Sequence, residues 1–104
     1  MAVALRIAPL ARKDVIEIAC YIAEDSSDAA ERFLDAVEAS CSEIARMPEL
    51  GTLCRFSNPE ASSVRVRTIS GFENHLIFYR PDDGEVLVVR ILHGSRNWQT
   101  LFEE

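Results

Sequence analysis

The second half of the sequence carries the side chains best suited to binding anions or transferring protons: Arg65, Arg67, His75, Tyr79, Arg80, Arg90, His93 and Arg96. Arginine presents a planar set of donors that matches carboxylate and phosphate groups, and histidine titrates near neutral pH. This set suits either phosphate chemistry or recognition of another protein. Neither histidine has the further ligands at the spacing that a zinc site needs, so we expect no metal and no cofactor.

Each of these residues also has a structural interpretation. Strict alternation along the strand 86–93 places Arg90 in a row with Val86, Val88 and Leu92, where an arginine must be paired, reach an edge or enter a polar groove. A structural ion pair with an acid from the first half is the main alternative to a functional role. His93 at a strand end is most simply a hydrogen-bonded structural residue, and Tyr79 is most simply a half-buried aromatic of the sheet.

Composition indicates one globular domain, residues 1–104, with 48% hydrophobic and 27% charged residues. The net charge of −6 argues against direct nucleic-acid binding, which usually needs a basic surface. The first 50 residues hold ten acidic and five basic residues, whereas the remainder holds seven and six. No apolar run reaches transmembrane length and no secretory signal is evident, so we expect no membrane association and a cytoplasmic location.

The first half is expected to form a short strand, Leu5–Ile7, followed by two helices. Apolar residues recur at helical spacing within 11–23, and a second apolar stripe runs from Asp28, read as an N-cap, to Met47. The polar segment 24–27 between them favours an antiparallel helical hairpin. Its outer faces are expected to carry an acidic cover of Asp14, Glu17, Glu31, Asp35 and Glu38.

The second half is expected to form the sheet. Residues 64–67, 75–80 and 86–93 have strand character, and the segment from Pro81 to Gly84 predicts a tight turn between the last two. Residues 95–102 are expected to form a short helix or tail. The predicted fold is therefore α+β, in the order β-α-α-β-β-β, with the helical hairpin on one face of a three- to four-stranded, mainly antiparallel sheet. The other face of the sheet is expected to stay open.

The segments His75–Arg80 and Val88–Asn97 resemble the ParE branch of the RelE/ParE toxins, whose strands read HxIFYR and VxRILHxxRD. Residues 11–25 resemble the family's first helix, with its I-x-x-Y-I-A core, and residues 47–51 resemble its P-x-x-G turn. Asn97 departs from the usual aspartate of the motif. This departure puts in doubt any role that needs a charged partner for Arg90 or Arg96.

The resemblance implies the toxin of a type II toxin–antitoxin module of the plasmid-stabilisation kind, in a hetero-oligomer with a ParD-like antitoxin. ParE toxins poison DNA gyrase, whereas RelE toxins are ribosome-dependent mRNA endoribonucleases. The acidic pI of about 4.9 favours the gyrase branch, because a ribosomal RNA cavity attracts positive charge. The single lysine, Lys13, favours it too, since the ribonuclease branch tends to place lysines on its central strands.

The residues and the resemblance together leave three candidate functions. A gyrase inhibitor would act by binding and not by catalysis, with contacts to gyrase or antitoxin from Arg65, Arg67, Arg90, Arg96, Trp98, Leu101 and Phe102. An endoribonuclease would instead use Arg65, Arg67, Tyr79, Arg90 and His93. The third is a non-toxic relative that only binds an antitoxin.

Overall fold

The computed structural model describes residues 2–103 and contains three α-helices and five strands in these residues. The α+β class and the predicted chain order are confirmed, with one further short strand after the helical hairpin. The elements are β1 (Leu5–Ile7), α1 (Pro9–Ala23), α2 (Ser27–Arg46), β2 (Thr52–Leu53), a 3₁₀ turn (Pro59–Ala61), β3 (Arg65–Ile69), β4 (Phe72–Asp82), β5 (Glu85–His93) and α3 (Trp98–Glu103).

The strands form one sheet in the spatial order β1-β5-β4-β3-β2. β1 runs parallel to β5, and the other neighbours are antiparallel. The sheet is therefore wider than the predicted three to four strands, because the two-residue β2 pairs with β3. The predicted turn between β4 and β5 is confirmed: Asp83 and Gly84 have φ of 54° and 80°, as in the two-residue turns that suit the twist of a hairpin.

Both long helices pack on one face of the sheet, where Phe33, Val37 and Ile44 of α2 meet Ile77 and Ile91 in the main core. The second helix begins two residues earlier than predicted. Its N-cap is Ser26, whose hydroxyl accepts a hydrogen bond from the Ala29 amide over 3.1 Å, so the assignment of Asp28 as N-cap is wrong. Within residues 2–103, no helix combines the length and hydropathy that a membrane crossing requires.

A bulge in β5 changes which side chains share a face. Phe78 pairs with Arg90 and Tyr79 pairs with Val88, so Val89 is an extra residue between them. Val88 and Ile91 consequently both face the helices, although strict alternation would place them on opposite sides. The predicted row of Val86, Val88, Arg90 and Leu92 is therefore wrong: Leu92 packs on the second face.

The second face of the sheet is largely covered, contrary to the expectation of an open face. Phe78 and Leu92 of the sheet form a second apolar cluster with Phe56 of the loop before β3 and with Trp98 and Phe102 of α3. The closing segment is thus a short helix that packs on the sheet. Because α3 and the loop cover this face, the functional side chains must lie mainly at the edges of the sheet.

Candidate functional site

Arg90 and Asp14 form a two-pronged ion pair where α1 crosses the edge of β5. Arg90 Nε donates to Asp14 Oδ2 over 2.8 Å, and Nη2 donates to Oδ1 over 3.0 Å. Only 18% of the Arg90 side chain and 6% of the Asp14 side chain are exposed. The hydrogen bonds to Asp14 raise the pKa of Arg90, so the guanidinium stays charged. The structural interpretation of Arg90 is confirmed.

The Asp14 carboxylate also accepts a backbone hydrogen bond that a neighbouring strand would otherwise accept. β1 pairs only with Val86–Val88, so no described strand flanks Ile91 on that side of β5. The Ile91 amide instead donates to Asp14 Oδ2 over 3.0 Å. Asp14 therefore belongs to the interior, and its predicted place in the acidic cover is wrong. Its spacing from Ala11 and Ile18 on the buried stripe of α1 is the sequence signal that could have shown this.

Tyr79 anchors the loop between α2 and β2. Its hydroxyl donates to the Pro48 carbonyl over 2.9 Å and accepts from the Gly51 amide over 2.7 Å. A Cβ at Gly51 would lie 2.7 Å from the hydroxyl, so this approach requires glycine. Burial, partly offset by the Gly51 amide and by Arg65 and Arg67, raises the pKa of the phenol. Only 1% of the surface of Tyr79 is exposed, so the residue is buried more deeply than the half-buried position expected from the sequence. This burial argues against proton transfer from Tyr79 to a substrate.

Arg65 and Arg67 lie on the helix-bearing side of the sheet, at β3. Arg65 Nη1 donates to the Gly51 carbonyl over 2.8 Å and so secures the same loop as Tyr79. Arg67 Nη2 lies 3.7 Å from Glu43 Oε2 of α2, a loose contact that leaves 30% of the arginine side chain exposed. Arg67 is therefore better placed than Arg65 to contact another molecule.

His75 and His93 are direct cross-strand partners, with ring centroids 5.1 Å apart at 84°. His93 Nδ1 accepts from the Ser95 amide over 3.1 Å. Burial, and then the nearby His93, lower the pKa of His75, whose Nδ1 has no hydrogen-bond partner among the described residues. No cluster of three metal-ligating side chains occurs within residues 2–103.

The C-terminal residues divide between the core and the surface. Trp98 packs against Phe56 and Phe78, and Phe102 stacks on Phe56 with ring centroids 5.0 Å apart. Their rings therefore serve mainly the second cluster, whereas the sequence suggested apolar contact area for a partner. Arg96 is exposed in the segment before α3, and Leu101 on α3 is 38% exposed.

The structure does not bring the candidate catalytic groups together. Arg67 on β3 and His93 on β5 are separated by β4 and by two residues along the strands, a Cα separation of roughly 12 Å from standard sheet spacings. Ile77, which pairs with Arg67, is fully buried between them. The arginines likewise form no single row, because Arg90 lies on β5, toward the β1 edge of the sheet and two strands away from Arg65 and Arg67 on β3.

A comparison with protein-family models matches residues 5–98 to the ParE toxin of type II toxin–antitoxin systems, parDE. The chain belongs to the ParE toxin family. The matched range contains both motif strands and the helical hairpin, so the resemblance seen in the sequence is confirmed. Leu101 and Phe102 lie beyond the matched range.

Two solved structures show the same fold. One is described as the chromosomal ParDE toxin–antitoxin system from P. aeruginosa, with a TM-score of 0.70 at 16% identity, covering 88% of this chain and 96% of that chain. The other is the toxin–antitoxin complex RelBE2 from Mycobacterium tuberculosis, with a TM-score of 0.62 at 20% identity, covering 89% of this chain and 92% of that one. The search of curated protein sequences gave no match.

Two residues of the ParE-like motif, Tyr79 and Arg90, thus have structural roles. Tyr79 holds a loop, and Arg90 is neutralised by Asp14 of α1. The Arg90 charge therefore does not depend on an aspartate at position 97, where this sequence has Asn97. His93, Arg96 and Asn97 are motif residues whose side chains are exposed to solvent.

Proposed function

We propose that this ParE-family toxin inhibits DNA gyrase by binding to it, and that a ParD-like antitoxin neutralises it in a hetero-oligomer. The observation that carries the proposal is that Tyr79 and Arg90, which a ribonuclease would need, are already committed to the fold. The family match supports the toxin role in a plasmid-stabilisation type of module. Gyrase acts in the cytoplasm, which is where the proposal locates this protein.

The remaining candidates do not amount to a catalytic site. Arg65 is occupied by the Gly51 carbonyl, and Arg67 and His93 lie about two strands apart. General acid–base catalysis needs both groups within hydrogen-bond reach of the reacting atoms, directly or through one water. Binding to a protein makes no such demand, because separated side chains can contact one surface.

The charge of the molecule also favours a protein target over an RNA cavity. A net charge of −6 repels a polyanion at long range, whereas ribosome entry gains from positive charge. We therefore propose no direct nucleic-acid binding by this chain. Gyrase contacts would come from local features of the surface and not from its overall charge.

Arg96 and Leu101 are the exposed members of the predicted contact set, and Arg67 is partly exposed with only a loose ion pair; we propose these three as direct contacts with gyrase. Arginine is enriched among the residues that dominate interface energies. Arg65, Arg90, Trp98 and Phe102 would act indirectly, because they hold the loop, the sheet edge and α3 that present the exposed residues. Disrupting them would therefore lower stability as well as binding.

Gyrase and ribosome assays on one purified preparation test the proposal. We expect the protein to block supercoiling and to accumulate cleaved DNA, and to leave mRNA on translating ribosomes intact. Arg96→Ala should weaken gyrase inhibition about tenfold, equivalent to about 1.4 kcal/mol. The matched control is Arg32→Ala, an exposed arginine on α2. Equal inhibition by both variants would remove Arg96 from the contact surface.

The two alternatives give different results in the same experiments. An endoribonuclease would cut mRNA in the ribosomal A site and leave gyrase unaffected. A non-toxic relative would bind an antitoxin but leave growth and both assays unchanged when overexpressed. Either result would overturn gyrase inhibition as the function of this chain.

A further inference from the structure

The second face of the sheet keeps one uncovered strip, beside β2 and β3. Two grooves of about 320 and 430 Å³ lie there, and both are lined by Thr52 of β2 and Val66 of β3. The two grooves therefore adjoin and form one trough. Leu76 lies at one end of it, and Phe56 and Trp98 of the second cluster lie at the other. The trough is thus an elongated depression with a mainly apolar floor.

The trough carries positive charge on an otherwise acidic molecule. Arg55 lines one groove and Arg67 lines the other, and no acidic residue among those that the structure describes lines either. Residues 46–70 hold four arginines and two glutamates, a net charge of +2. The rest of the chain holds seven basic and fifteen acidic residues, a net charge of −8. The surface around the trough therefore favours an anionic ligand, whereas the remainder of the molecule does not.

Both arginines are available to such a ligand. Arg55 is exposed and forms no ion pair with any residue of the described range 2–103. The Arg67 guanidinium has only the loose 3.7 Å contact with Glu43 on the helix-bearing side. β2 begins opposite Val66, so no described strand flanks Arg67 at this edge. Its side chain can therefore turn around the open edge of β3 toward the trough.

The spacing of the two arginines defines the ligand that fits. Thr52 pairs with Val66, so Arg67 lies opposite the residue four positions before Arg55. Standard strand dimensions put the Cα atoms of the two arginines roughly 14 Å apart, about the span of four extended residues. In an extended peptide, side chains i, i+2 and i+4 point to one side. Carboxylates at i and i+4 would then meet the two arginines while residue i+2 enters the trough.

The outer edge of β2 also offers backbone groups to an extended segment. β2 is the terminal strand of the sheet, and the Cys54 amide donates to the Val64 carbonyl over 2.8 Å. Hydrogen-bonded pairs alternate along an antiparallel ladder, so the amide and carbonyl of Leu53 point away from β3. An extended partner can pair with Leu53 while its side chains occupy the trough.

A protein segment suits this surface better than a nucleic acid or a second copy. Two arginines give few phosphate contacts, and the net charge of −6 repels a polyanion at long range. A second copy would bring the same net charge and the same repulsion. A short acidic stretch within a protein carries its charge locally. Its apolar side chain would pack beside Trp98, and tryptophan and arginine are both enriched among the residues that dominate interface energies.

We infer that the trough binds an extended acidic segment of the protein target, with two carboxylates paired to Arg55 and Arg67 and one apolar side chain between them. The identity of the target as gyrase rests on the proposed function. The recognised chemistry, two acidic side chains four residues apart with an apolar one midway, rests on the trough itself. This surface adds Arg55 and Trp98 to the direct contacts proposed for gyrase.

Trp98 is the chain's only tryptophan and lines the trough, so its fluorescence reports occupancy. The probe is the capped pentapeptide glutamate–serine–leucine–serine–glutamate, added to the full-length protein up to millimolar concentration. We expect a saturable shift of the emission to shorter wavelength, because the leucine excludes water from the indole. Replacing leucine by glycine, or both glutamates by glutamines, should weaken apparent binding about tenfold. No saturable change, or equal binding of all three peptides, would overturn the inference.

Variants locate the binding within the protein. Arg55→Gln and Arg67→Gln should each weaken binding of the glutamate peptide several-fold, and Arg12→Gln is the matched control because Arg12 is an exposed arginine on α1. Gln99→Glu places an acid in the trough and should weaken binding about tenfold. Thr100→Glu adds the same charge at an exposed position of α3 that does not line the trough. Equal weakening by variant and control in either comparison would contradict the trough as the site.

The other occupants give distinct results in the same assay. A short oligothymidine that shifts the Trp98 emission when the peptides do not would assign the trough to nucleic acid and overturn the inference. A change of emission on dilution of the protein alone, abolished by Arg55→Gln, would assign the trough to a second copy and overturn it too.

The trough and the gyrase proposal fail separately. Peptide binding by a protein that leaves supercoiling unchanged would refute gyrase as the target and leave the trough standing. Gyrase inhibition by a protein whose Trp98 emission ignores the peptides would do the reverse.

Discussion

Asp14 accepts three hydrogen bonds at one place: two from Arg90 and one from the Ile91 amide. Asp14→Ala should therefore leave a largely buried guanidinium and an amide without their acceptor. We expect the free energy of unfolding to fall by about 3 kcal/mol, the scale for removing one partner of a buried ion pair. Urea unfolding measures it. Lys13→Gln, which removes only an exposed pair, should change stability by less than about 0.5 kcal/mol.

Tyr79→Phe separates a structural tyrosine from a catalytic one. The substitution should lower the free energy of unfolding by about 1–3 kcal/mol, because the Pro48 carbonyl and the Gly51 amide lose a buried partner. Below the unfolding temperature, the folded variant should keep its activity against its target. Loss of activity with stability unchanged would show that the hydroxyl acts on a substrate.

His75 gives stability a defined pH dependence. Burial and the neighbouring His93 lower its pKa below the ordinary 6.5, so below about pH 6.5 the unfolded chain binds a proton that the folded chain resists. The contribution of neutral His75 to the free energy of unfolding is fully present at pH 7.5 and is lost as the pH falls below about 6.5. Urea unfolding at pH 7.5 and 5.5 should show a smaller loss for His75→Gln than for the unsubstituted protein. An equal loss would show that His75 does not titrate differently in the two states.

At the scale of elements, α3 stabilises the second face of the sheet. Phe102→Ala removes a ring that contacts both Phe56 and Phe78, and should cost about 2 kcal/mol for a partly buried phenylalanine. Trp98, the chain's only tryptophan, lies in the same cluster and should emit at longer wavelength in the variant. Leu101→Ala, which alters an exposed side chain of α3, should leave the emission nearly unchanged. Identical spectra for all three proteins would contradict the packing of α3.

Periodicity predicted the elements that have a clear apolar pattern, and the motif in β4 and β5 predicted the family. The two-residue β2 was missed because so short a segment has no period to detect. The face of Leu92 was misassigned because the bulge at Val89 shifts the alternation by one residue. Asp14 was misplaced because its partner, Arg90, is 76 positions away in the chain, and charge alone suggests the surface.

At the scale of the whole molecule, one sheet separates two apolar clusters and leaves different chemistry at its two edges. The loop held by Tyr79 and Arg65 lies beside β3, and a groove lined by Tyr21 and Ile22 of α1 and by His93 lies next to β5. The sequence predicted which residues are candidates for the site but not how they are arranged. Arg90 and Tyr79 make hydrogen bonds within the fold, and these contacts depend on packing between distant parts of the chain.

Supercoiling by purified DNA gyrase in the presence of this protein tests the central claim most directly. The account predicts dose-dependent loss of supercoiling with accumulation of cleaved DNA, retained by Tyr79→Phe and weakened about tenfold by Arg96→Ala. Unchanged supercoiling and cleavage at every dose, with the folded state verified in the same buffer, would contradict it.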